Sequence, residues 1–403
     1  LARANVIIVG GGLTGAATAF YLASAGLSVR VLEREQLNAG ASGQNAGSLH
    51  FQLEHRFVEH GVDGRELAEL FPLTLQAIED WRRLPEELGS PLGLAMHGGL
   101  MVAETPDEVD KLRVKCALES RCGLNTRLIT GDEARALAPY LASGILAASY
   151  CDVEGHANPR LVTGAFARAA RKAGAAIDCD RSVVSIVKRN RCFEIETIAT
   201  TSGARAETFT AERLVLAAGA WSAQIAVLLN LHMPVIPLAL TMSVTEPVPP
   251  MIGHLIQHVG RRLSLKQVAD GNLLIGGGWP ARLAGSQRPK GQFDLGIRPQ
   301  LLESSVRGNL ATAMQVIPSI RDLLLLRSWT GTVAVTADQQ PLLGSVDACP
   351  GLYIAAGGTG FTLGPTMSRL LAELIVTGDT SLPISQFSPQ RYAHLNAFMG
   401  EAR

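Results

Sequence analysis

Cysteine is scarce in this chain of 403 residues, and it never falls at metal-site spacing. The six cysteines, Cys116, Cys122, Cys151, Cys179, Cys192 and Cys349, form no C-x-x-C pair, which disfavours an iron–sulfur cluster or structural zinc within this chain. They read as buried thiols acting as small apolar side chains. Charge of either sign is also sparse: 36 basic and 36 acidic residues cancel. With no basic tail, arginine cluster or acidic block, a nucleic-acid partner is not expected. No apolar run is long enough to span a bilayer. No basic segment precedes the first apolar strand and no cleavage signature follows it, so the expected location is cytoplasmic. A chain 47% apolar is long enough for two domains or one elaborated domain.

Glycine, by contrast, is plentiful and placed. Val6–Val9 is an apolar run that empties into Gly10-Gly11-Gly12-Leu13-Thr14-Gly15; an alanine-rich helix follows, and the next apolar run, over 29–32, ends at Glu33. Gly10 permits a tight turn, Gly12 lets backbone approach a pyrophosphate, and Gly15 allows the helix to lie close to the sheet. Glu33 can accept ribose hydroxyls. The helix start presents unpaired amides to phosphate. Strand, turn, helix, strand and acid in that order make a dinucleotide site; a plain glycine-rich turn would leave the acid unexplained.

The rest of the chain does not repeat this unit at once, as a nicotinamide dehydrogenase would. A small-residue loop, Gly40 to Gly47, comes next. The spacing predicts helices over 66–87, broken or kinked at Pro72, over 108–119, over 132–137 capped by Thr130 or Asp132, and over 159–172. Strands are predicted over 99–103, 183–188 and 192–199, and a buried parallel strand over 212–217 empties into Gly219. The segments 235–245, 263–268 and 272–276 read as a largely antiparallel sheet, followed by a helix over 301–314. A second glycine-rich junction, Gly357-Gly358-Thr359-Gly360, precedes a helix over 364–376. A cofactor held at residues 10–15 and met by this second helix start is better read as FAD than as a nicotinamide. The second helix dipole would stabilise negative charge on a reduced flavin ring.

On these stretches, with Leu214–Ser222, Gly276-Gly277-Gly278-Trp279-Pro280 and Lys266-Gln267, the sequence resembles the D-amino-acid oxidase/glycine oxidase/sarcosine oxidase family over essentially its full length. Within it the chain is similar to the flavin β-subunits of opine oxidase, hydrogen cyanide synthase and proline or hydroxyproline dehydrogenase complexes. The resemblance implies an α/β fold: a Rossmann-like FAD-binding domain with a substrate domain on a mixed, largely antiparallel sheet. The expected division is 1–85, 150–225 and 330–403 for the FAD domain, against 86–149 and 226–329. It implies oxidation of the C–N bond of an opine- or imino-acid-class amine by hydride transfer to flavin N5. The rival is a self-sufficient glycine, sarcosine or D-amino-acid oxidase; a flavin-bearing tRNA-modifying or structural protein is a further alternative.

Carried over residue by residue, the resemblance gives a loop of Ser42, Gly43, Gln44, Asn45, Ala46 and Gly47 around pyrophosphate and flavin. Val184 corresponds to a position whose backbone meets adenine, and Gly219 and Trp221 to the turn under the AMP half. Gly358, Gly360, Phe361, Thr362 and Leu363 form the closing loop. It also implies an α-subunit and a small ferredoxin-like partner, with a second flavin (FMN) at an interface or an iron–sulfur centre in a partner. Contact with the inner membrane face would come through such partners. One departure stands out. Amino-acid-oxidising relatives commonly carry an arginine two residues after the glycine of Trp-x-Gly. Here Trp329-Thr330-Gly331-Thr332 leads to Val333, which cannot grip a carboxylate. Lys266, Arg261 and Arg262 are the substitute cations. His50 and His156 are either pocket or structural residues, and Trp329 either walls the pocket or packs the core.

Overall fold

The structure is a computed structural model and describes residues 2–54, 57–58, 64–277, 282–283, 286–287, 293–294 and 299–399. Gly278, Trp279 and Pro280 of the third glycine region therefore lie outside the described residues.

Near-continuous apolar runs make strands that are buried on both faces, and the first sheet is built on them. Its order is Leu342–Ser345, Leu352–Ala356, Arg205–Leu216, Ala2–Val9, Val29–Leu32 and Ala176–Asp178. The last five run parallel, with Val9 level with Leu32 on one side and Leu216 on the other, and Leu216 level with Ile354. Val6, Ile7 and Ile8 are fully buried. Because these strands end level, the turns that leave them at Gly10, Ala217 and Gly357 crowd the same sheet edge. In open parallel sheets that edge is where ligands bind.

Helix Leu13–Ser24 lies on the sheet beside Pro159–Lys172 and Gly364–Thr377. Its buried Ala16, Ala17 and Ala19 keep the three helices close. At Gly15 a Cβ would sit 1.9 Å from the Gly10 carbonyl oxygen, so only glycine fits. The helix over 159–172 starts at the predicted proline, with Asn158 capping the Arg160 amide. Pro72 sits in the first turn of Phe71–Glu87, where its missing N–H costs nothing, and a shorter helix, Gly64–Ala68, precedes it. Thr130, rather than Asp132, caps the short helix Gly131–Leu137, through a capping box with Glu133.

Among the described residues the second sheet has nine strands and is antiparallel except where Leu255–His258 pairs with Gly99–Ala103. The long Val235–Pro247 pairs along its length with Leu325–Thr336. That ladder continues from Gly331 to Thr336. Thr126–Thr130 and Ala147–Cys151 belong to the same sheet. The even residues Ile236, Leu238, Leu240 and Met242 of the long strand point toward the crevice, as period-two alternation requires.

Candidate active site

A cavity of about 950 Å³ runs along the crevice, lined by both glycine segments and by the second sheet. That is the upper end of the range of roughly 300–1,000 Å³ for small-molecule sites. At one end, helix Leu13–Ser24 opens at Gly12 with no side-chain cap, which leaves its positive pole for an anion. Ser42 Oγ takes the Leu13 amide at 2.9 Å. Glu33 accepts from the Gly11 amide at 2.6 Å and the Glu35 amide at 2.7 Å, and its lone pairs are not exhausted by two bonds. Arg34 stacks over Trp221 at 4.7 Å, and both line the cavity.

At the other end the chain crosses Gly357 (φ +74°) and Gly358 (φ +62°) in succession, a pair of left-handed residues that glycine alone adopts freely. Helix Gly364–Thr377 follows, again without a side-chain cap. The two helices are tied together, Ser368 Oγ donating to the Thr14 carbonyl at 3.0 Å. The buried Trp81 donates through Nε1 to the Thr362 carbonyl at 2.7 Å, and its ring lies 5.4 Å from Phe361. Thr366 Oγ1 donates to Asp80 at 2.8 Å. Helix Phe71–Glu87 thus buttresses the closing loop.

Of the residues predicted for the site, Gly10, Gly12, Thr14, Glu33, Ser42, Gln44, Asn45, Ala46, Gly47, Gly219, Trp221, Gly358, Gly360, Phe361, Thr362 and His50 line this one cavity. Others do not. Gly15 and Gly43 are packing glycines; at Gly43 a Cβ would lie 2.1 Å from the Asn38 carbonyl oxygen. The side chains of Leu13 and Leu363 are buried in the core. Val184 is 42% exposed and its neighbour Val183 lines the cavity, so the strand whose backbone is expected to meet adenine borders the wall. Trp329 stands opposite Met242 in the ladder, and its Nε1 donates to the Gln44 carbonyl at 2.8 Å, which ties that strand to the small-residue loop.

The three substitute cations separate. Lys266 is buried behind the wall, donating to Ser48 Oγ at 3.1 Å, and burial pushes its pKa well below the ordinary lysine value. Arg261 pairs with Glu104, away from the cavity. Arg262 lines the cavity, with Ser264, Met242 and Gly277. His156 stands opposite Ser48 on an antiparallel pair; burial first, then Lys266, holds its pKa near 4. His50 reaches Ser264 Oγ through Nε2 at 3.2 Å.

Sequence reasoning missed Glu54, Gln257 and Ser264, all in the wall. None belongs to a motif, so nothing local marked them. Thr359 Oγ1 donates to Glu54 at 3.1 Å. A helix start without an N-cap side chain at each end of the cavity, with the Glu33 carboxylate beside the first, suits an extended dinucleotide. Among the described residues there is no metal-type cluster and no helix long and apolar enough to cross a membrane.

A family model described as FAD dependent oxidoreductase (DAO) matches residues 5–374. Glycine oxidase of Geobacillus kaustophilus is 30% identical over 398 residues, 97% of each chain. The crystal structure of glycine oxidase from that organism superposes with a TM-score of 0.84 at 28% identity, covering 97% of this chain and 99% of the other. One of the subunits of opine oxidase from Rhizobium meliloti is 26% identical over 96% of this chain and 97% of its own. Mouse mitochondrial dimethylglycine dehydrogenase is 25% identical over 97% of this chain, which spans only 44% of that protein's length.

Proposed function

The chain belongs to the DAO family of FAD dependent oxidoreductases, and from that premise we propose that it oxidises the C–N bond of a secondary amine or amino acid of the opine or imino-acid class, as the flavin-carrying subunit of a heteromeric dehydrogenase. The observation that carries the substrate class is the wall of the ring end. Leu238, Leu240 and Met242 form an apolar floor, and Val333 stands where a carboxylate-gripping arginine would be. Of the three substitute cations, Arg262 reaches the cavity, from the turn between Leu255–His258 and Ser264–Gln267. A substrate that presents one carboxylate to Arg262 and an apolar flank to that floor fits the arrangement.

FAD, when bound, would supply the hydride acceptor. Around it, Gly12 and the helix start at Leu13 would hold the pyrophosphate, Glu33 the ribose, and residues 357–362 with the loop over 42–47 the ring. Arg262 would fix the substrate carboxylate by paired hydrogen bonds, and the apolar floor would exclude water from the reacting carbon. Orientation of this kind can contribute much of the barrier reduction.

The heteromeric reading is supported by the likeness to an opine oxidase subunit along its whole length. Leu324, Leu325 and Leu326, all exposed at one end of Leu325–Thr336, give the kind of apolar patch that a partner covers. The 30% identity to a glycine oxidase favours a second reading, a self-sufficient oxidase. Anaerobic titration with opines, D-proline analogues, glycine and sarcosine tests the substrate class by bleaching of the flavin band. Oxygen uptake by the isolated chain tests the rest: bleaching with slow uptake is expected, and rapid uptake would establish the oxidase.

A further inference from the structure

The segment that carries His50 and Glu54 into the cavity is neither helix nor strand, yet its backbone is fully engaged. Four consecutive amides donate to side chains: His50 to Thr362 Oγ1 at 3.2 Å, Phe51 and Gln52 to Glu154 Oε1 at 3.0 Å each, and Leu53 to Glu119 Oε1 at 2.7 Å. Both carboxylates have no exposed surface. Lys115, also buried, donates to Glu119 Oε2 at 2.8 Å, to Gln52 Oε1 at 2.8 Å and to Ser149 Oγ at 3.1 Å. Gln52 Nε2 in turn donates to Glu154 Oε2 at 2.8 Å. From the cavity side, Gln257 Nε2 approaches the same carboxylate at 3.4 and 3.5 Å. Room for Glu154 is made by Gly99, where a Cβ would lie 2.1 Å from its Oε2.

Burying two carboxylates and an ammonium costs several kcal/mol per ion, and apolar packing of the same volume is often as stable. What apolar packing cannot do is accept the amide protons of an irregular segment. We propose that Glu154 is a positioning residue: its carboxylate, countered by Lys115 through Gln52 and accommodated by Gly99, fixes residues 50–54 so that His50 and Glu54 face a ligand at the ring end of the cavity. This rests on the amine-oxidation reading only for the choice of ligand in the test.

Burial lifts the Glu154 pKa to about 7, against the lowering bonds from Gln52 and the charge of Lys115, while Glu119 raises it further. The other groups on the packed elements are Cys116 on the helix, Cys151 and Ser149 on one strand, and Gln257 and His258 on the other. Protonation would turn an acceptor oxygen into a hydroxyl facing the Gln52 amide, so the anionic form holds the segment better.

The test compares the flavin-loaded wild type with Glu154→Gln and Gly99→Ala. Three quantities are read: hydrogen exchange of amides 51–53 against amides 6–9, FAD dissociation, and the dissociation constant of pyrrole-2-carboxylate seen by the flavin spectrum. In both variants exchange at 51–53 should accelerate and the pyrrole-2-carboxylate constant rise by about tenfold, a change of about 1.4 kcal/mol, while FAD dissociation stays unchanged. In the wild type, protection at 51–53 should rise with pH through 7, a readout that needs no variant. Unchanged exchange at 51–53 in both variants, with no pH dependence in the wild type, overturns the proposal. A wild type that holds no flavin refutes the enzymatic reading instead, and leaves the exchange experiment to decide this one.

Discussion

At the nucleotide end of the cavity the wall is mostly backbone, whereas at the ring end it is mostly side chains drawn from distant parts of the sequence. The first end needs two turns leaving level parallel strands, at Gly10 and Ala217, and glycine lets them approach: Gly10 (φ +113°) has no room for a Cβ beside the Ala217 carbonyl oxygen, 2.5 Å away. The second end combines His50, Glu54, Gln257 and Arg262, which share no motif and meet only because two sheets close over one crevice. A site made of backbone tolerates little change but is written locally. A site made of side chains can change its substrate without disturbing the cofactor.

That contrast breaks first at Gly15. Gly15→Val would drive a side chain into the Gly10 carbonyl. The expected result is loss of bound flavin with destabilisation of more than about 3 kcal/mol, in the tail of point-mutant effects, measured by flavin-to-protein absorbance and thermal melting. A variant with normal flavin content would show that the cradle is not close-packed. At the ring end, Arg262→Gln should leave flavin content intact and weaken a carboxylate ligand by about 2 kcal/mol, roughly thirtyfold. If flavin is lost as well, the two ends are not separable.

The electrostatic side of the comparison is tested by Lys266→Met. The folded-state pKa of Lys266 is pushed down by burial, so between that value and the ordinary 10.5 the unfolded chain binds more protons. Stability therefore rises with pH through that window, and the variant should lose this slope and gain about 1–2 kcal/mol at neutral pH. Chemical denaturation at several pH values measures it. A stability loss at neutral pH would mean that the charged form of Lys266 is needed. The smallest effect is expected from Trp329→Phe. Losing the bond to the Gln44 carbonyl should cost about 1 kcal/mol with flavin retained.

What is legible in the sequence follows the same division. The strand-turn-helix units at Gly10 and Gly357 and the helix over 159–172 are set by neighbours in sequence, so periodicity and glycine placement reveal them. The small-residue loop is legible as a loop, but not that Gly43 serves Asn38 while Ser42 serves Leu13. The strand over 183–188 is legible, but not which of its side chains meets the cavity, because a two-residue period fixes a face only once the register is known. Lys266 and Arg261 are plausible as chemistry; their separation from the cavity depends on Ser48 and Glu104, which sequence spacing does not connect to them. The buried cluster of Glu154, Lys115 and Glu119 carries no signal at all, because Glu154 and the backbone it holds are far in sequence from the helix that supplies the other two.

The central claim is that both glycine segments hold one extended flavin in one cavity. The most direct measurement is the electron density of the protein crystallised with its FAD. The account predicts adenosine between Glu33 and Trp221, pyrophosphate at Gly12, and the flavin ring against residues 357–362 with Arg262 across the open face. Density that places the ring outside this cavity, or a protein that takes up no FAD, would contradict it.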